Sequence, residues 1–211
     1  MELSTLKTKL EEKMQDIKDL NLRPFVCEGS PLKCKVFIVG INPATQMDDD
    51  FWSNWNDNEG FLFQEWFKKY QETKEKTPKK NKKAVSPTRN MLNKIKEILK
   101  CPILETNVYP VATEKANLLK KEDKKTDIFR YLLENIEPQF IWIHGDKAIE
   151  AFNKEFSQEI VKIDIKRAKV EDIKDVKIGE RQIKMIATQH LSYQFSIENA
   201  QKIANFISKN L

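Results

Sequence analysis

The sequence predicts an α/β fold of three layers, in which helices cover both faces of a mainly parallel central sheet. Two observations carry this prediction: short apolar runs alternate along the chain with stretches of helical periodicity, and several runs stop abruptly at turn or polar residues. The chain has 211 residues, of which 40% are hydrophobic and 33% are charged. This length and balance suit one domain over residues 1–211 with its own apolar core.

In the first half of the chain, apolar residues at helical spacing predict an N-terminal helix over about residues 3–20. Residues 34–39 predict the first strand, because a β-branched run there stops at the turn pattern Gly40-Ile41-Asn42-Pro43. The aromatic-rich residues 51–70 are predicted to contain a helix, and Ser86-Pro87 begins another that runs to about residue 100. One strand and three helices are therefore expected before the midpoint.

In the second half, strand and helix patterns continue to alternate. Strands are predicted at residues 103–108, 140–144 and 183–188, with short candidates at 160–165 and 176–178. Helices are predicted at residues 127–136, 147–156 and 197–207. A parallel sheet binds ligands beyond the carboxyl ends of its strands, so a functional site is expected at those ends.

Polar side chains stand at the ends of four predicted strands. Asn42 follows the first strand, Asn107 ends the second, and His144 and His190 lie at the ends of the third and the last. These are the two histidines of the chain. Chance is one explanation, because loops begin at strand ends and favour polar residues. We prefer the other explanation, which is a cleft shared by the four strand ends.

Composition excludes several classes of site. Two histidines and three cysteines, with no C-x-x-C pair, leave no ligand set for a zinc finger or an iron–sulfur cluster. The five glycines form neither a G-x-G-x-x-G pattern nor a Walker loop. The N-terminal residues lack the apolar core of a signal peptide, and no apolar stretch approaches the length of a membrane span. We therefore expect a cytoplasmic, monomeric protein with no metal, no cofactor and no membrane contact.

Positive charge is concentrated in one part of the chain. The net charge is +5, but residues 68–100 hold twelve Lys or Arg against three Glu. A basic insertion over about residues 68–83 suits a polyanion, and nucleic acid is the commonest one. A solvated, lysine-rich loop is the alternative interpretation. DNA is the partner that we expect.

The strand ends resemble the motifs of the uracil-DNA glycosylase superfamily. Gly40-Ile41-Asn42-Pro43 resembles its first motif, in the asparagine form of the mismatch-specific and single-strand-selective enzymes. His190-Leu191-Ser192 resembles its second motif, which usually has a proline where this chain has Leu191. Residues 106–108 and 141–145 resemble the ends of two intervening strands. The resemblance covers about residues 34–207 and implies the fold of that family.

The resemblance also implies roles in base excision. Asn42 would hold the attacking water through its side-chain oxygen, and His190 would donate a hydrogen bond to the base as negative charge grows on it. Asn107 would read the edge of uracil, although Thr106 competes with it for this place. The ordinary alternatives are a turn asparagine before a proline, a histidine that caps the sheet and a loop asparagine. His144 matches no motif histidine and is expected either to be structural or to support a neighbouring site residue.

Other candidates would contact the substrate base. Gly40, Ile41 and Pro43 complete the first motif around Asn42. Phe51 or Trp52 is expected to stack on a flipped base, with a place in the core as the alternative. Ser192 would contact a phosphate, or else cap the helix that begins near residue 197.

A last group would contact the DNA itself. Tyr193 and Gln194 would enter the space that an extruded nucleotide leaves, whereas Phe195 beside them suits the core. Backbone phosphates would be held by the basic residues Lys79, Lys80, Lys82, Lys83 and Arg89.

The sequence therefore predicts a metal-independent DNA glycosylase that hydrolyses the N-glycosidic bond of uracil or a related damaged base. No lysine stands at the motif positions as a nucleophile, so strand-nicking chemistry is not implied. Two alternatives stay open: a non-catalytic nucleic-acid-binding module of the same fold, and a protein that binds or hydrolyses a small nucleoside or nucleobase.

Overall fold

Helices and strands alternate along the chain, as the hydrophobic pattern predicts. A computed structural model describes residues 1–17, 21–76, 84–164, 173–192 and 195–211. The helices in these ranges are α1 (Leu3–Gln15), α2 (Phe63–Lys76), α3 (Pro87–Leu99), α4 (Asp127–Ile136), α5 (Asp146–Phe156) and α6 (Ile197–Lys209). The strands are β1 (Phe25–Val26), β2 (Val36–Gly40), β3 (Trp55–Asn56), β4 (Gly60–Phe61), β5 (Ile103–Asn107), β6 (Phe140–His144), β7 (Lys174–Ile178) and β8 (Arg181–Thr188).

The central sheet is mainly parallel, which confirms the predicted fold class. Within the described residues it has six strands in the order β1-β5-β2-β6-β8-β7. The four inner strands β5, β2, β6 and β8 run parallel, whereas β1 and β7 pair antiparallel at the two edges. All carboxyl ends of the inner strands therefore lie at one edge of the sheet.

Apolar side chains on both faces of the sheet hold the layers together. Every residue of β2 is buried, and alternate side chains point to opposite faces. Phe37 and Val39 belong to a core that also contains residues of α1, α4 and α5. Val36 and Ile38 belong to a second core with residues of α3 and α6. Each fully buried large side chain stabilises the fold by about 1.5–3 kcal/mol, and this burial produces the three layers.

The helices α3 and α6 begin at capped serines. Ser86 Oγ accepts a hydrogen bond from the backbone N–H of Arg89 at 3.2 Å, and Pro87 is the first helical residue. The equivalent cap of α6 is Ser196, whose Oγ accepts from the N–H of Asn199 at 3.1 Å. The predicted start at Ser86-Pro87 is thus confirmed. The alternative that Ser192 caps the last helix is wrong.

Residues 51–70 contain the predicted helix in their last part, from Phe63 onward. Residues 51–54 form a 3₁₀ turn, a short hairpin of β3 and β4 follows, and α2 begins at Phe63. The Asn56 side chain accepts from the N–H groups of Asn58 and Glu59, which turns the chain within the hairpin. Gly60 has φ +95°, and a Cβ there would lie 2.5 Å from the carbonyl oxygen of Gly29. The helix therefore starts only after this close approach.

Residues 160–164 are not a strand, in contrast to the prediction for 160–165. In this range the N–H of Ile163 donates to the carbonyl oxygen of Ala187 at 2.9 Å, but the residues do not form a strand. The side chain of Asn153 instead bonds both backbone groups of Ile160, at 2.8 and 3.0 Å. An amide that occupies both groups removes the donor and acceptor that a strand partner would need.

The first helix is shorter than predicted. α1 ends at Gln15, and residues 18–20 of the predicted helix lie outside the described residues. In the described ranges, no helix combines the length and the apolar character that crossing a membrane requires.

Candidate active site

A cavity of about 180 Å³ opens at the carboxyl end of the inner strands. Its wall includes Asn42 after β2, Asn107 at the end of β5, His144 at the end of β6 and His190 after β8. These four strands are neighbours in the sheet and run parallel, so their ends meet. The structure therefore brings the four strand-end residues into one cleft. Ile41 and Pro43 lie on the same wall.

The side chain of Asn42 is held in one orientation. Its Nδ2 lies 3.0 Å from the carbonyl oxygen of Pro43, and 3.1 and 2.9 Å from the carbonyl oxygen and Oγ1 of Thr113. Carbonyl oxygens cannot donate, so the atom that faces them must be the amide nitrogen. This leaves Oδ1 to accept a hydrogen bond, for example from a water molecule in the cleft.

The loop that carries Asn42 is tied to the chain that follows β5. Three backbone hydrogen bonds join the N–H groups of one segment to the carbonyls of the other, linking Val108 to Gly40, Tyr109 to Ile41 and Thr113 to Pro43 at 3.0, 2.9 and 2.9 Å. They continue the pairing of β2 with β5 beyond the strand ends. The position of Asn42 is therefore set by the neighbouring strand as well as by its own loop.

Gly40 provides the space in which two functional side chains meet. A Cβ at this position would lie 2.8 Å from Oδ1 of Asn107 and 3.4 Å from Cε1 and Nε2 of His144. Thr106 and Asn107 both line the cavity, but the hydroxyl of Thr106 is already engaged, because its Oγ1 donates to the carbonyl oxygen of Pro24 at 2.7 Å. The first motif therefore needs glycine here for space.

The two histidines form an edge-to-face pair at the cleft. Their ring centroids are 5.0 Å apart and their planes are inclined by 73°. His144 is 5% exposed, whereas His190 is exposed at the rim. Gly145 lies beneath His190 with φ +90°, and a Cβ there would lie 3.2 Å from Cδ2 of His190. Glycine is the residue that adopts this backbone angle readily. His144, expected to be structural or to support a neighbouring site residue, lies on the cavity wall.

Both imidazoles are neutral at pH 7. Burial, and secondly the neighbouring His190, lower the pKa of His144 from 6.5 to about 3. Partial burial also lowers the pKa of His190 below 6.5. Nδ1 of His144 is buried and has no hydrogen-bond partner among the described residues. The ring therefore has one polar atom that the protein does not satisfy.

Hydrogen bonds that begin at Trp142 on β6 anchor the turn that carries His190. Nε1 of Trp142 donates to Oγ1 of Thr188 at 2.9 Å, and this hydroxyl donates to the carbonyl oxygen of Gln189 at 3.1 Å. Leu191, which takes the place of the usual motif proline, is completely buried. Apolar packing therefore holds a turn that a proline ring would otherwise constrain.

A buried ion pair lies on the same cavity wall. Arg89 and Glu105 are each 7% exposed, and Nη1 of Arg89 lies 2.8 Å from Oε1 and 2.6 Å from Oε2 of Glu105. Arg23 also lines the cavity. Arg23 and Glu105 were not predicted as site residues. Glu105 left a signal in the sequence, because it is a charged residue inside a strand that is otherwise apolar at its start.

The burial of Arg89 corrects its predicted role. A side chain that is paired with Glu105 inside the wall does not contact backbone phosphates on the outer surface. The other predicted DNA contacts, at Lys79, Lys80, Lys82, Lys83, Tyr193 and Gln194, lie outside the described residues. They stay predictions.

The aromatic residues chosen from the sequence lie away from the cleft. Phe51 is 6% exposed and packs against Phe25 and Phe61, with ring centroids 5.1 and 5.5 Å apart. Trp52 packs against Phe51 at 4.9 Å. Phe51 belongs to the core, half-buried Trp52 packs against it, and neither lines the cavity, so a stacking role for either is corrected. Phe25 and Tyr70 are aromatic residues on the cavity wall. The sequence could not single them out, because this part of the chain contains many other aromatic residues.

The end of the second motif faces a different surface. Ser192 lines an open groove together with Pro87, Met91 and Phe195, outside the cavity that holds Asn42. The expected contact of Ser192 with substrate is therefore not supported by its position. Phe195 is 3% exposed and packs against Trp142, with ring centroids 5.9 Å apart, as its core interpretation predicts.

The chemistry available in the cleft comes from the two asparagine amides, the two imidazoles, the Arg89–Glu105 ion pair and the guanidinium of Arg23. In the described part of the chain, no group of three or more His, Cys, Asp or Glu is arranged to hold a metal ion. Cys27, Cys34 and Cys101 are free thiols. The arrangement can hold a water molecule on Asn42 beside neutral hydrogen-bond donors.

Comparison with known proteins agrees with this geometry. A family model described as the uracil DNA glycosylase superfamily matches residues 27–209. The matched residues contain all four inner strands and the four polar strand ends. No curated protein matches the chain.

Proposed function

The chain belongs to the uracil DNA glycosylase superfamily, and we propose that it hydrolyses the N-glycosidic bond of uracil or a related damaged base in DNA. The observation that carries this proposal is the cleft, where Asn42, His144 and His190 line one cavity and hydrogen bonds occupy Nδ2 of Asn42, leaving its oxygen to accept. We also propose that its first motif acts as an asparagine-type motif.

In this proposal Asn42 positions the nucleophile. The bond between sugar C1′ and the base nitrogen breaks, and its electron pair leaves with the base. Water held on Oδ1 of Asn42 then adds to C1′, and its proton passes to the base or to solvent. An amide is sufficient because the sugar is already cationic when water attacks. The fixed Nδ2 contacts with Pro43 and Thr113 support this role, because they keep Oδ1 in place.

His190 stabilises the departing base. A neutral imidazole donates through its N–H to the base oxygen on which negative charge develops. The lowered pKa of His190 supports a neutral donor at pH 7. Loss of one such donor costs about 3–4 kcal/mol of transition-state stabilisation.

Asn107 reads the base. Its side chain offers an acceptor and two donors, which match the O4 and N3–H edge of uracil. Its position over Gly40 on the cavity wall supports this assignment. Specificity thus resides on β5, beside the water-holding loop of β2.

The basic insertion binds the DNA backbone in this proposal. Lys79, Lys80, Lys82 and Lys83 precede Ser86 by three to seven residues, and Ser86 lines the cavity. Reversal of all four lysines to glutamate should weaken DNA binding and reduce its dependence on salt, because fewer counterions are released. Unchanged affinity and salt slope would mean that the insertion is merely a solvated loop.

A base-release assay tests the proposed activity. Uracil in single- and double-stranded DNA is supplied beside free deoxyuridine, under single-turnover conditions. Release from DNA is expected, and release from deoxyuridine alone would instead indicate a nucleoside hydrolase. Salt-sensitive DNA binding without release from any substrate would favour the non-catalytic binding module. The replacement of the motif proline by Leu191 is the feature that favours that second candidate.

A further inference from the structure

His144 is a buried polar side chain that the proposed mechanism does not use. It ends β6, is 5% exposed and lines the cavity. Its Nδ1 has no hydrogen-bond partner among the described residues. A buried polar atom without a partner costs stability. A contact between the ring and a ligand would explain why a polar side chain occupies this place.

The register of the sheet places His144 across from Asn107. Gly40 pairs with Asn107 on one side, and on the other side the pairing of Val39 with Ile143 brings His144 beside Gly40. A Cβ at Gly40 would lie 3.4 Å from Cε1 and Nε2 of His144, and 2.8 Å from Oδ1 of Asn107. Nε2 of His144 and the amide of Asn107 therefore border the same part of the cavity.

The surroundings of the ring indicate where its proton lies. Burial, and secondly the neighbouring His190, lower the pKa of His144 to about 3. The ring is therefore neutral at pH 7 and has one N–H and one bare nitrogen. Nδ1 is buried with no acceptor in the described part of the chain. Because a buried N–H without an acceptor is rarer than a buried acceptor without a donor, we place the proton on Nε2.

The order of the strands indicates which atom of the base this N–H would meet. In the order β5-β2-β6-β8, His144 lies between Asn107 and His190. When Asn107 binds O4 and N3–H of uracil, the next acceptor along the ring is the carbonyl oxygen O2. A carbonyl oxygen has two lone pairs and can accept two hydrogen bonds. The two imidazole centroids are 5.0 Å apart, which suits two donors that share one acceptor at about 2.9 Å.

We propose that His144 is a second catalytic donor, and that its Nε2–H and the N–H of His190 together bind O2 of the departing base. This inference rests on the proposed function for the orientation of the base. As the bond between C1′ and N1 breaks, its electron pair passes to the base, and negative charge spreads from N1 onto O2. Two preorganised donors to that oxygen form an oxyanion hole. Neither imidazole gives up its proton.

The wild-type protein tests this proposal without any variant. With ¹⁵N-labelled histidine, the ring nitrogens of the two histidines can be followed separately by NMR. We expect His144 to keep its proton on Nε2 between about pH 5 and pH 8. We also expect that proton signal to move downfield when uracil is added to saturation. A proton on Nδ1, or an Nε2–H signal that saturating uracil leaves unchanged, would overturn the proposal.

Variants and two substrates separate catalysis from structure. Fluorine at C5 stabilises the base anion, so release of 5-fluorouracil from DNA depends less on a donor than release of uracil. His144→Leu has no donor and should slow uracil release about 10–10²-fold, as expected for a hydrogen bond to a charged group, and 5-fluorouracil release distinctly less. His144→Gln should keep most of the uracil rate, because its amide can place an N–H near the position of Nε2. Equal slowing of both substrates by His144→Leu would contradict the role of a donor, because a structural defect acts on both alike.

The matched control for the substrate comparison is Ile143→Ala. Ile143 precedes His144 on β6 and packs in the core on the opposite face of the sheet, so its truncation should change the release of both bases by the same factor. The NMR measurement keeps this inference apart from the glycosylase activity. Protein with a uracil-responsive Nε2–H that releases no base retains His144 as a donor to the base and loses the activity. Protein that releases uracil with the proton on Nδ1 retains the activity and loses the role of His144.

Discussion

The two halves of the cleft hold their polar side chains in different ways. In the asparagine half, Asn42 and Asn107 follow the paired strands β2 and β5, and backbone bonds continue that pairing past the strand ends. In the histidine half, His144 has a buried Nδ1 without a partner in the described chain, and His190 is exposed. In the asparagine half, hydrogen bonds reach the side chain of Asn42 itself. In the histidine half, the hydrogen bonds anchor the turn at Thr188 and Gln189, and the ring of His144 is held by packing.

This difference matches the demands of the proposed reaction. The attacking water must be held at a fixed position and in a fixed orientation, which requires a side chain that is itself held in one orientation. A donor to the leaving base can tolerate adjustment, provided that its N–H reaches the growing negative charge. The asparagine half should therefore respond most strongly to substitution, and the histidine half should respond to protonation.

Removal of the Asn42 side chain should have the largest effect. We expect Asn42→Ala to slow base release by roughly 10³-fold, because it removes the group that holds water. DNA affinity should be almost unchanged, because no phosphate contact is lost. The exposed helical residue Asn205 supplies a matched control, Asn205→Ala, which should be neutral. Single-turnover rates that are equal for the two variants would contradict the role of Asn42.

Substitution of His190 should have the next largest effect. His190→Ala is expected to reduce the single-turnover rate by about 10²–10³-fold, the usual loss for one preorganised donor. Substrate affinity should change little if the donor acts on charge that develops during bond breaking. A variant that lost affinity but kept its rate would show that His190 holds the ground state instead.

The substitution Gly40→Ala tests whether Asn107 and His144 need the space that glycine leaves beside them. Gly40→Ala would place a carbon 2.8 Å from Oδ1 of Asn107, so that side chain must move. We expect a loss of about 10²-fold in base release, the cost of misplacing a positioning group by about 1 Å. The control Gly179→Ala adds a Cβ with no atom within 4 Å, although its φ of +62° makes a small loss of stability expected. Activity retained in Gly40→Ala would show that Asn107 has room to spare.

The smallest expected effect is on the pH dependence of stability, and it reports on the protonation of His144. Its pKa lies at about 3 in the folded protein against 6.5 ordinarily, so below pH 6.5 the unfolded chain takes up a proton that the folded chain does not. The free energy of unfolding should fall with decreasing pH, by up to about 1.4 kcal/mol per pH unit. Denaturant titrations from pH 6.5 to about 5 avoid the ordinary carboxylate range.

Replacement of His144 should flatten this dependence. His144→Asn is expected to remove most of the slope, whereas His190→Asn should keep most of it, because the pKa of His144 is lowered by burial first and by His190 second. Equal slopes in wild type and His144→Asn would contradict the buried neutral imidazole.

Much of the fold and of the cleft could be predicted because the signals are local. The run Phe140–His144 is apolar from its first residue, and its predicted bounds are those of β6. Once the strands were located, the polar residues at their ends could be predicted to share one cleft, because parallel strands end at the same edge of the sheet. By contrast, the two residues of β1 are too few for a periodic pattern, and the antiparallel edges were not anticipated.

The errors concern contacts between residues that are distant in sequence. Arg89 resembles a surface cation until Glu105, sixteen residues later, is placed against it. Phe51 lies just after the first motif, but its ring packs against Phe25 and Phe61 in the core. Proximity along the chain indicates neither the burial nor the direction of such side chains, so the Arg89–Glu105 ion pair of the cavity wall was missed although the polar strand ends were found.

The antiparallel edges of the sheet have a consequence for behaviour in concentrated solution. An unpaired edge strand is a template on which a second chain can add and aggregate. On one side the described edge strand, β1, spans just two residues. On the other side β7 presents Lys174, Asp175 and Lys177 to solvent in alternation with buried Val176 and Ile178. Short length and exposed charge both discourage strand addition, so the aggregation-prone apolar strands β2 and β6 are kept in the middle of the sheet.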